Sequence, residues 1–460
     1  MRAMIDIFHS QILFWMAWVI IPIVMEIVPT IGNFFVLLKR RVIGHKRKKL
    51  VYFPEITLIV PVYNSEETLY NCIKSVNDSD YDSHLIYIML VNNQSTDGSF
   101  NEFVRCQKDF PKLTINWLNS EQGKSKALNM ALFNSYGKYI IHIDSDGVLH
   151  PQALTNMVTQ FEQNEDCDCM TGTIMTNPDM IDATKGFGRR LLRKLEFFEY
   201  CQAFLAGRNF QSEFNTIFTL SGAFSAFRKS AILKTQLYNT DTVCEDTHVT
   251  FQIRDTLGER VELCDDAYFF VDPIEDMNRL YIQRQRWQRG EIEVMHMFME
   301  KRLKSRGFIS DAVLRLLMYD HTFAFPRMIW YFALICLAFV NYPIKLILVS
   351  VLLMYLLYVV ATLLLYISII LFLSKEKRLR RYYARKWYLI FLLPIFNFLV
   401  FWFRFAGIVN AIKSKQTWRT RNLSEEAAAA REVIRQDFSK AETILSRWRD
   451  EVNSDVEIKE

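Results

Sequence analysis

The sequence is bounded first by what it lacks. Its eight cysteines carry no zinc signature. Cys167-Asp168-Cys169 is the one close pair, and no second pair or histidine follows at finger spacing. Such cysteines read as reduced thiols in a reducing compartment, so neither a zinc module nor a disulfide-stapled scaffold is expected. No internal repeat is present, and the Gly123-Lys124-Ser125-Lys126 helix opening lacks P-loop spacing. No small-residue cleavage site follows the N-terminal apolar stretch. That stretch is too long for a signal peptide and runs into basic residues, so it reads as a retained anchor.

What is present is apolar and unevenly placed. Of 460 residues 51% are hydrophobic and 14% aromatic, including 36 Phe. The excess lies at the two ends. Residues 55–310 read as an ordinary α/β domain, whereas residues 11–38 and 323–411 read as bilayer-facing. Gln11–Leu38 is long enough to span a hydrocarbon core, though Pro22, Glu26 and Pro29 interrupt it. Phe323–Val340 and Ile344–Leu373 are two further spans, separated by Asn341-Tyr342-Pro343. A fourth block, Trp387–Ile412, contains Pro394 and Arg404. Helices apolar on all faces for this long are not expected in a soluble protein.

The net charge of +5 matters less than its position. Lys39-Arg40-Arg41 and Lys46-Arg47-Lys48-Lys49 follow the first span; Lys375, Lys377, Arg378, Arg380, Arg381, Arg385 and Lys386 follow the third. The positive-inside rule makes both loops cytoplasmic, with residues 50–320 on the same side and the N-terminus outside. Because each basic run abuts an apolar span, membrane lipid is the expected partner and nucleic acid is not. The fourth block conflicts with the rule if it crosses, since Lys413–Arg421 would then lie outside. A block that does not cross, with Lys413–Arg421 cytoplasmic, is the favoured reading.

Within the central region, apolar runs alternate with helix patterns. Strands are expected at Ile56–Pro61, Ile86–Val91, Thr114–Leu118 and Tyr139–Ile143, and helices at Ser65–Val76 (Ser65 as N-cap), Ser99–Lys108 and Lys124–Asn134. This alternation implies an α/β fold with a mainly parallel sheet, whose ligands bind at the carboxyl ends of the strands. Thr219–Phe227 reads as a strand behind the site, with Ser221, Gly222 and Ala223 small enough for close backbone approach. Leu280–Glu300 reads as a helix and Ser424–Val452 as a surface or membrane-lying helix. The expected division is an anchor with a basic juxtamembrane loop (1–50), a catalytic domain (51–310), a membrane region (311–415) and a helical tail (416–460).

Five signatures carry the chemistry. Asp144-Ser145-Asp146 ends a strand with two carboxylates that suit Mg²⁺ or Mn²⁺ beside a diphosphate. Glu245-Asp246 supplies a carboxylate able to take a proton from a sugar hydroxyl. In Gln283-Arg284-Gln285-Arg286-Trp287, the residues Gln283, Arg286 and Trp287 share a helix face. There Arg can fork onto phosphate, Gln can bond hydroxyls and Trp can stack on a pyranose. Asn92-Asn93 with Asp97 lies on a strand-end loop, and Gly123-Lys124 opens a helix with an N-terminus and a cation suited to an anion.

With these residues the chain resembles the membrane-integrated family 2 glycosyltransferases of GT-A fold. These include the cellulose, chitin, hyaluronan and poly-N-acetylglucosamine synthases. The matching text is Val60-Pro61-Val62-Tyr63-Asn64 with Glu66-Glu67, Ser95-Thr96-Asp97-Gly98-Ser99, Gly123-Lys124-Ser125-Lys126-Ala127-Leu128-Asn129, Asp144-Ser145-Asp146, Ser221-Gly222-Ala223-Phe224, Glu245-Asp246 and Gln283–Trp287. A looser resemblance, resting on no single motif, is to a Gram-positive branch linked to exosortase-type sorting.

The resemblance implies that Asp146 with Asp144 holds a divalent metal and the sugar nucleotide. It makes Asp246 the base, with Glu245 beside it. Pro61, Tyr63, Asn64, Glu66, Asn92, Asn93, Asp97 and Lys124 fall on the donor side, and Gln283, Arg286 and Trp287 hold the diphosphate and acceptor. Thr417-Trp418-Arg419-Thr420-Arg421 resembles a gating segment of some synthases. One departure stands out: Asn92 and Asn93 replace the usual Asp pair, which leaves the nucleobase preference open although UDP is the expected carrier.

The expected function is inverting sugar transfer from a nucleotide-sugar to a growing glycan, for an extracellular or cell-surface polysaccharide, by a multi-pass protein of the cell membrane. A non-processive transferase loading one sugar on a lipid carrier is the first alternative, and an inactive membrane scaffold the second. An oligomer or a partner export subunit stays open, because three or four spans are few for a channel.

Overall fold

Strand β1 (Ile56–Val62) is buried at every position but Pro61. That pattern belongs to a parallel strand covered on both faces. In the computed structural model, which describes residues 23, 27–43, 50–302, 319–320, 323–339 and 343–413, β1 lies inside an eight-stranded sheet. The remaining strands are β2 (Ile86–Asn92), β3 (Thr114–Asn119), β4 (Tyr139–Ile143), β5 (Gly147–Leu149), β6 (Cys167–Thr176), β7 (Phe224–Arg228) and β8 (Arg260–Val271). Their order is β3-β2-β1-β4-β7-β6-β8-β5. β1 pairs in parallel with β2 and β4, β2 with β3, and β6 with β8. β7 runs antiparallel between β4 and β6, and β5 is antiparallel to β8. β2 and β3 lie on one side of β1 and β4 on the other. Strand order therefore reverses at β1/β4, the place where such sheets open a ligand crevice.

Apart from short helical turns at Pro178–Ala183, Arg208–Glu213 and Lys229–Ile232, the α-helices of the described residues are α1 (Val28–Ile43), α2 (Leu69–Asn77), α3 (Ser99–Asp109), α4 (Lys124–Phe133), α5 (Ala153–Gln163), α6 (Phe187–Tyr200), α7 (Glu245–Phe251), α8 (Met277–Arg302), α9 (Phe325–Phe339), α10 (Ile344–Phe372), α11 (Lys377–Ala384) and α12 (Leu389–Lys413). The expected strands and helices of the central region fall within a few residues of these bounds, with two corrections. Helix α2 starts at Leu69, and Ser65 does not cap it. Instead the Ser65 carbonyl accepts the Thr68 and Leu69 N–H groups. Its own N–H goes to Ser99 Oγ and its hydroxyl to Ser145 Oγ. Thr219–Ala223 is a loop rather than part of a strand, because its N–H groups are diverted to side chains. Leu220 N–H donates to Thr250 Oγ1, Ser221 N–H to Thr171 Oγ1 and Gly222 N–H to Asp246 Oδ2.

A third correction concerns charge. Lys39-Arg40-Arg41 does not lie in a loop but forms the last turns of α1. Arg40 reaches the Asn209 carbonyl at 3.1 Å and Glu213 at 3.5 Å, and Arg41 reaches the Leu371 carbonyl at 3.0 Å. These cations fasten α1 to the catalytic domain and to α10 rather than standing free. Most of Gln11–Leu38, the Lys46–Lys49 run, Thr417–Arg421 and Ser424–Val452 lie outside the described residues.

Among the described residues two helices, Ile344–Lys375 and Leu389–Asn410, are long and apolar enough to cross a membrane. They join the domain through an apolar seam in which Phe197, Phe198 and Leu280 meet Ile369, Tyr383 and Leu393. Phe198 stacks on Tyr383 at 4.1 Å. Farther along, the Tyr281 and Phe403 rings meet at 5.1 Å and Asn410 Nδ2 donates to Gln285 Oε1 at 3.4 Å. Gly407 permits that approach, since a Cβ there would sit 3.1 Å from the Gln285 backbone.

Candidate active site

The crevice is bounded by the loops after β1, β2 and β4 and by the first turns of α4 and α7. The β1 and β2 loops are sewn together. Asn64 has φ 49°, a left-handed conformation that Asn tolerates, and its Oδ1 accepts the Thr96 N–H at 2.9 Å. The Glu66 N–H donates to Asp97 Oδ2 at 2.9 Å, and the Glu66 carboxylate accepts the Gly98 N–H at 3.0 Å. Gly98 is required there, because a Cβ would come within 2.5 Å of Glu66 Oε1. Asp97 also accepts the Ser99 hydroxyl at 2.6 Å. Burial pushes the Asp97 carboxyl up, but hydrogen bonds from Ser99 and from the Glu66 and Ser99 N–H groups outweigh it and lower its pKa. Asn64, Glu66 and Asp97 thus spend these bonds on joining two loops. Pro61 pairs with Val91 inside the sheet, and Tyr63 stands at the rim, 54% exposed.

The Asn pair has a local physical reason. Asn92 Nδ2 donates to Asn119 Oδ1 at 3.0 Å while its Oδ1 accepts the Ser95 N–H at 2.9 Å. An Asp could make only the second bond, having no donor when ionised. Asn93 Oδ1 accepts the Gly123 N–H at 2.6 Å, which fixes the start of α4.

Lys124, the first residue of α4, is the hub. Its Nζ lies 2.6 Å from Asp144 Oδ1 and 3.8 Å from Glu245 Oε1. Burial would lower the ammonium pKa, but Asp144 and Glu245 outweigh burial and hold the group protonated. Glu245 is buried, and burial pushes it up to about 7, against the opposing pull of Lys124 and with the help of Asp246. Asp246 is oriented from two sides: Oδ2 accepts the Gly222 N–H at 3.0 Å, and Oδ1 accepts the Thr247 N–H at 2.7 Å. A Cβ on residue 222 would lie 3.1 Å from Asp246 Oδ2, so the small residue serves the carboxylate.

Asp144 and Asp146 follow β4. Enclosure in the cleft and, next, the Asp144 carboxylate push Asp146 up to about 6. Asp272, at the end of β8, adds to that field. Carboxylates that resist joint ionisation are a donor set that a hard divalent cation relieves. Among the described residues no group of three or more His, Cys, Asp or Glu is placed to hold a metal.

The Gln/Arg/Trp helix divides its residues. Gln283 Nε2 reaches Tyr200 Oη at 3.5 Å, and the Trp287 ring lies 6.3 Å from Tyr200 and 6.2 Å from Phe204. Arg286 is exposed, and its charge is felt at the Cys244 thiol just before Glu245. Gly290 packs against Cys244 so closely that a Cβ would collide with Sγ. Sequence reasoning passed over Arg284, which is fully buried. It donates to Glu199 at 2.6 Å and lies 4.3 Å from the Trp287 ring centroid. The available signal was the pair Glu196 and Glu199 on α6. Also missed were Arg208, which donates to Thr171 and Ser221, and Asn129, whose side chain makes two bonds to the Tyr238 backbone.

Comparison with known proteins places this geometry. Residues 57–235 match the model for glycosyl transferase family 2. The poly-β-1,6-N-acetyl-D-glucosamine synthase of Staphylococcus aureus (strain COL) is 23% identical over 291 residues, 62% of this chain and 68% of the relative. That of Staphylococcus epidermidis is 25% identical over 240 residues, 52% and 55%. In fold the chain resembles a mannosyltransferase from Pyrobaculum calidifontis, solved with GDP-Man and Mn²⁺, at TM-score 0.54 and 17% identity over 78% of this chain and 99% of that one. The family match ends before Glu245, Asp246 and α8, which the structure nonetheless brings to the same crevice. The chain carries a family 2 glycosyltransferase domain of GT-A type and is a glycosyltransferase similar to the poly-β-1,6-N-acetylglucosamine synthases.

Proposed function

We propose that the protein transfers a sugar, with inversion, from a nucleoside-diphosphate sugar to a glycan hydroxyl, for a cell-surface polysaccharide, with the catalytic domain on the cytoplasmic face of the membrane. The observation that carries the reading is Lys124, bonded to Asp144 on the donor side and set 3.8 Å from Glu245 on the base side. One cation thereby ties the two halves of a displacement reaction together.

In that reaction the acceptor oxygen attacks the anomeric carbon and the bond from that carbon to the diphosphate breaks. Asp246, oriented by the Gly222 and Thr247 N–H groups, receives the acceptor proton. Lys124 lies where a leaving diphosphate would find a positive charge, worth most in an enclosed site. Asp144 and Asp146 are the residues that would hold Mg²⁺ or Mn²⁺, which when bound neutralises charge on the diphosphate. Tyr63 offers an exposed ring to a nucleobase, and Trp287 with Gln283 forms a wall suited to a pyranose. The long apolar helices α10 and α12, of which α12 packs along α8, support a membrane-bound enzyme, and the Gln283/Arg286/Trp287 signature favours a polymerase over loading of a single sugar on a lipid carrier.

The test is nucleoside-diphosphate release by the detergent-purified chain with Mg²⁺ or Mn²⁺ and a panel of UDP-, GDP- and TDP-sugars, with Asp246→Asn in parallel. Release from one donor that is lost in Asp246→Asn supports the reading, and product sizing separates polymer from single transfer. Retained nucleotide binding without release from any donor overturns it.

A further inference from the structure

One buried group at the base of the site is left short of a hydrogen bond, beside a buried carboxylate. His142, on β4 and 3% exposed, receives or gives one bond: its Nδ1 lies 2.8 Å from the Tyr238 hydroxyl. Its Nε2 makes no hydrogen bond among the described residues. Glu245 is buried beside it; its carboxylate accepts its own backbone N–H and has the Lys124 ammonium at 3.8 Å. Leaving a buried ring nitrogen unsatisfied is costly, so His142 Nε2 calls for a partner.

The two line the same space. A cavity of about 10 Å³ is bounded by His142, Gly222, Ser225, Tyr238, Glu245 and Asp246. Ser225 faces His142 directly across the β4–β7 ladder, so both side chains leave the sheet on one face. Leu128, Leu220, Phe227 and Val249 complete the cavity walls, so the space is largely apolar with these polar groups set into it; its volume is the least that holds one water, which needs two to four polar partners. A neutral imidazole carries one N–H and one acceptor nitrogen, so with Nδ1 engaged by Tyr238 the Nε2 is left to find a partner.

We propose that this cavity is a one-water site through which His142 positions Glu245, and with it the first turn of α7 that carries Asp246. With the Tyr238 hydroxyl donating to Nδ1, the Nε2–H donates to the water and the water donates to the Glu245 carboxylate. His142 touches no substrate; it is a positioning residue behind the base. Only the kinetic consequence rests on the transferase reading, while the water site stands on the geometry.

Two measurements decide it. A structure of the wild-type chain, at a resolution that shows ordered solvent, should reveal one water within hydrogen-bond distance of His142 Nε2 and Glu245. A dry cavity overturns the proposal whatever the activity. The second uses amide mimics. Gln carries its amide nitrogen where the imidazole has Nε2, and Asn where it has Nδ1. His142→Gln should keep kcat within about threefold, whereas His142→Asn should lose about tenfold to a hundredfold in kcat with little change in donor KM.

If His142 merely anchors Tyr238, the order reverses, and that result, or equal losses in both variants, overturns the proposal. Melting temperature and UDP binding establish that both variants fold. If the wild type turns over no donor, the transferase reading fails alone and the density still decides the water site.

Discussion

Glu245→Gln should make the protein more stable at pH 8 and leave it nearly unchanged at pH 4. The wild-type carboxyl is buried, and burial pushes it from an ordinary 4.5 up to about 7. Its folded pKa lies above its unfolded one, so the stability it permits is fully present below about pH 4.5 and is lost as pH rises through 7. Holding Glu245 ionised at pH 8 costs about 3 kcal/mol as an upper figure. Glutamine fills the same space and never ionises, so it removes that cost and forfeits only the long Lys124 contact. At about 2 °C per kcal/mol for a domain of this size, the melting temperature at pH 8 should rise by a few degrees. The assay is a pair of thermal melts, wild type against variant, at both pH values and without nucleotide. A difference that is the same at both pH values would refute the idea that Glu245 is a buried carboxyl under electrostatic stress.

Removing the hub charge with Lys124→Met should weaken UDP binding by about tenfold to a hundredfold, the worth of a charge-assisted bond; titration calorimetry with unchanged affinity would place Lys124 away from the diphosphate. Arg284→Met should destabilise the fold by about 3–5 kcal/mol by leaving Glu199 charged and alone, whereas Arg286→Met should lower turnover and spare the fold. Denaturant melts and activity on the two variants check this, and equal stability loss in both would sink it. Gly290→Ala forces a methyl into Cys244 Sγ and should cost about 1–3 kcal/mol, recovered in the double variant with Cys244→Ala; additive effects would mean the two do not touch.

The strands were legible in the sequence because strands buried on both faces write themselves as near-continuous apolar runs, as Ile56–Val62 and Tyr139–Ile143 do but for Thr57 and His142. The loops that end them were legible because strand polarity fixes which end faces the ligand. Less could be read where a residue's partner is remote in sequence. Asp97 and Glu66 look like donor ligands in isolation, and only the fold shows them binding each other's loops across 31 residues. Arg284 and Arg286 are neighbours of one type, yet one is sealed against Glu199 and the other is exposed. The deciding contact is 85 residues away. Asn92 read as a departure until Asn119 was seen to need its donor. His142 gave no signal, because a histidine inside an apolar strand is indistinguishable from a core residue until its unused nitrogen and its cavity are visible together.

The packing of α12 bears on whether it crosses the membrane. The helix is Leu389–Lys413, about 37 Å long at 1.5 Å per residue, enough to cross a hydrocarbon core of about 30 Å. A crossing helix would carry one end that distance from the catalytic domain. Both ends of α12 touch the domain instead. Just before its first residue, Tyr388 Oη lies 3.4 Å from Lys194 on α6, and near its last, Asn410 bonds Gln285 and Gly407 lies on the Gln285 backbone. Between them Leu393 and Phe403 share one apolar seam with Phe197, Leu280 and Tyr281. The helix therefore lies along α6 and α8, and we propose that it does not cross, so that Lys413 to Arg421 keep to the domain's side as the positive-inside rule asks. A cysteine introduced at Ser414, with the exposed Cys336 replaced by serine, should react with a membrane-impermeant maleimide in inverted vesicles and be protected in intact cells. Labelling from the outside would mean that α12 crosses and that its contacts with α8 are made within the bilayer.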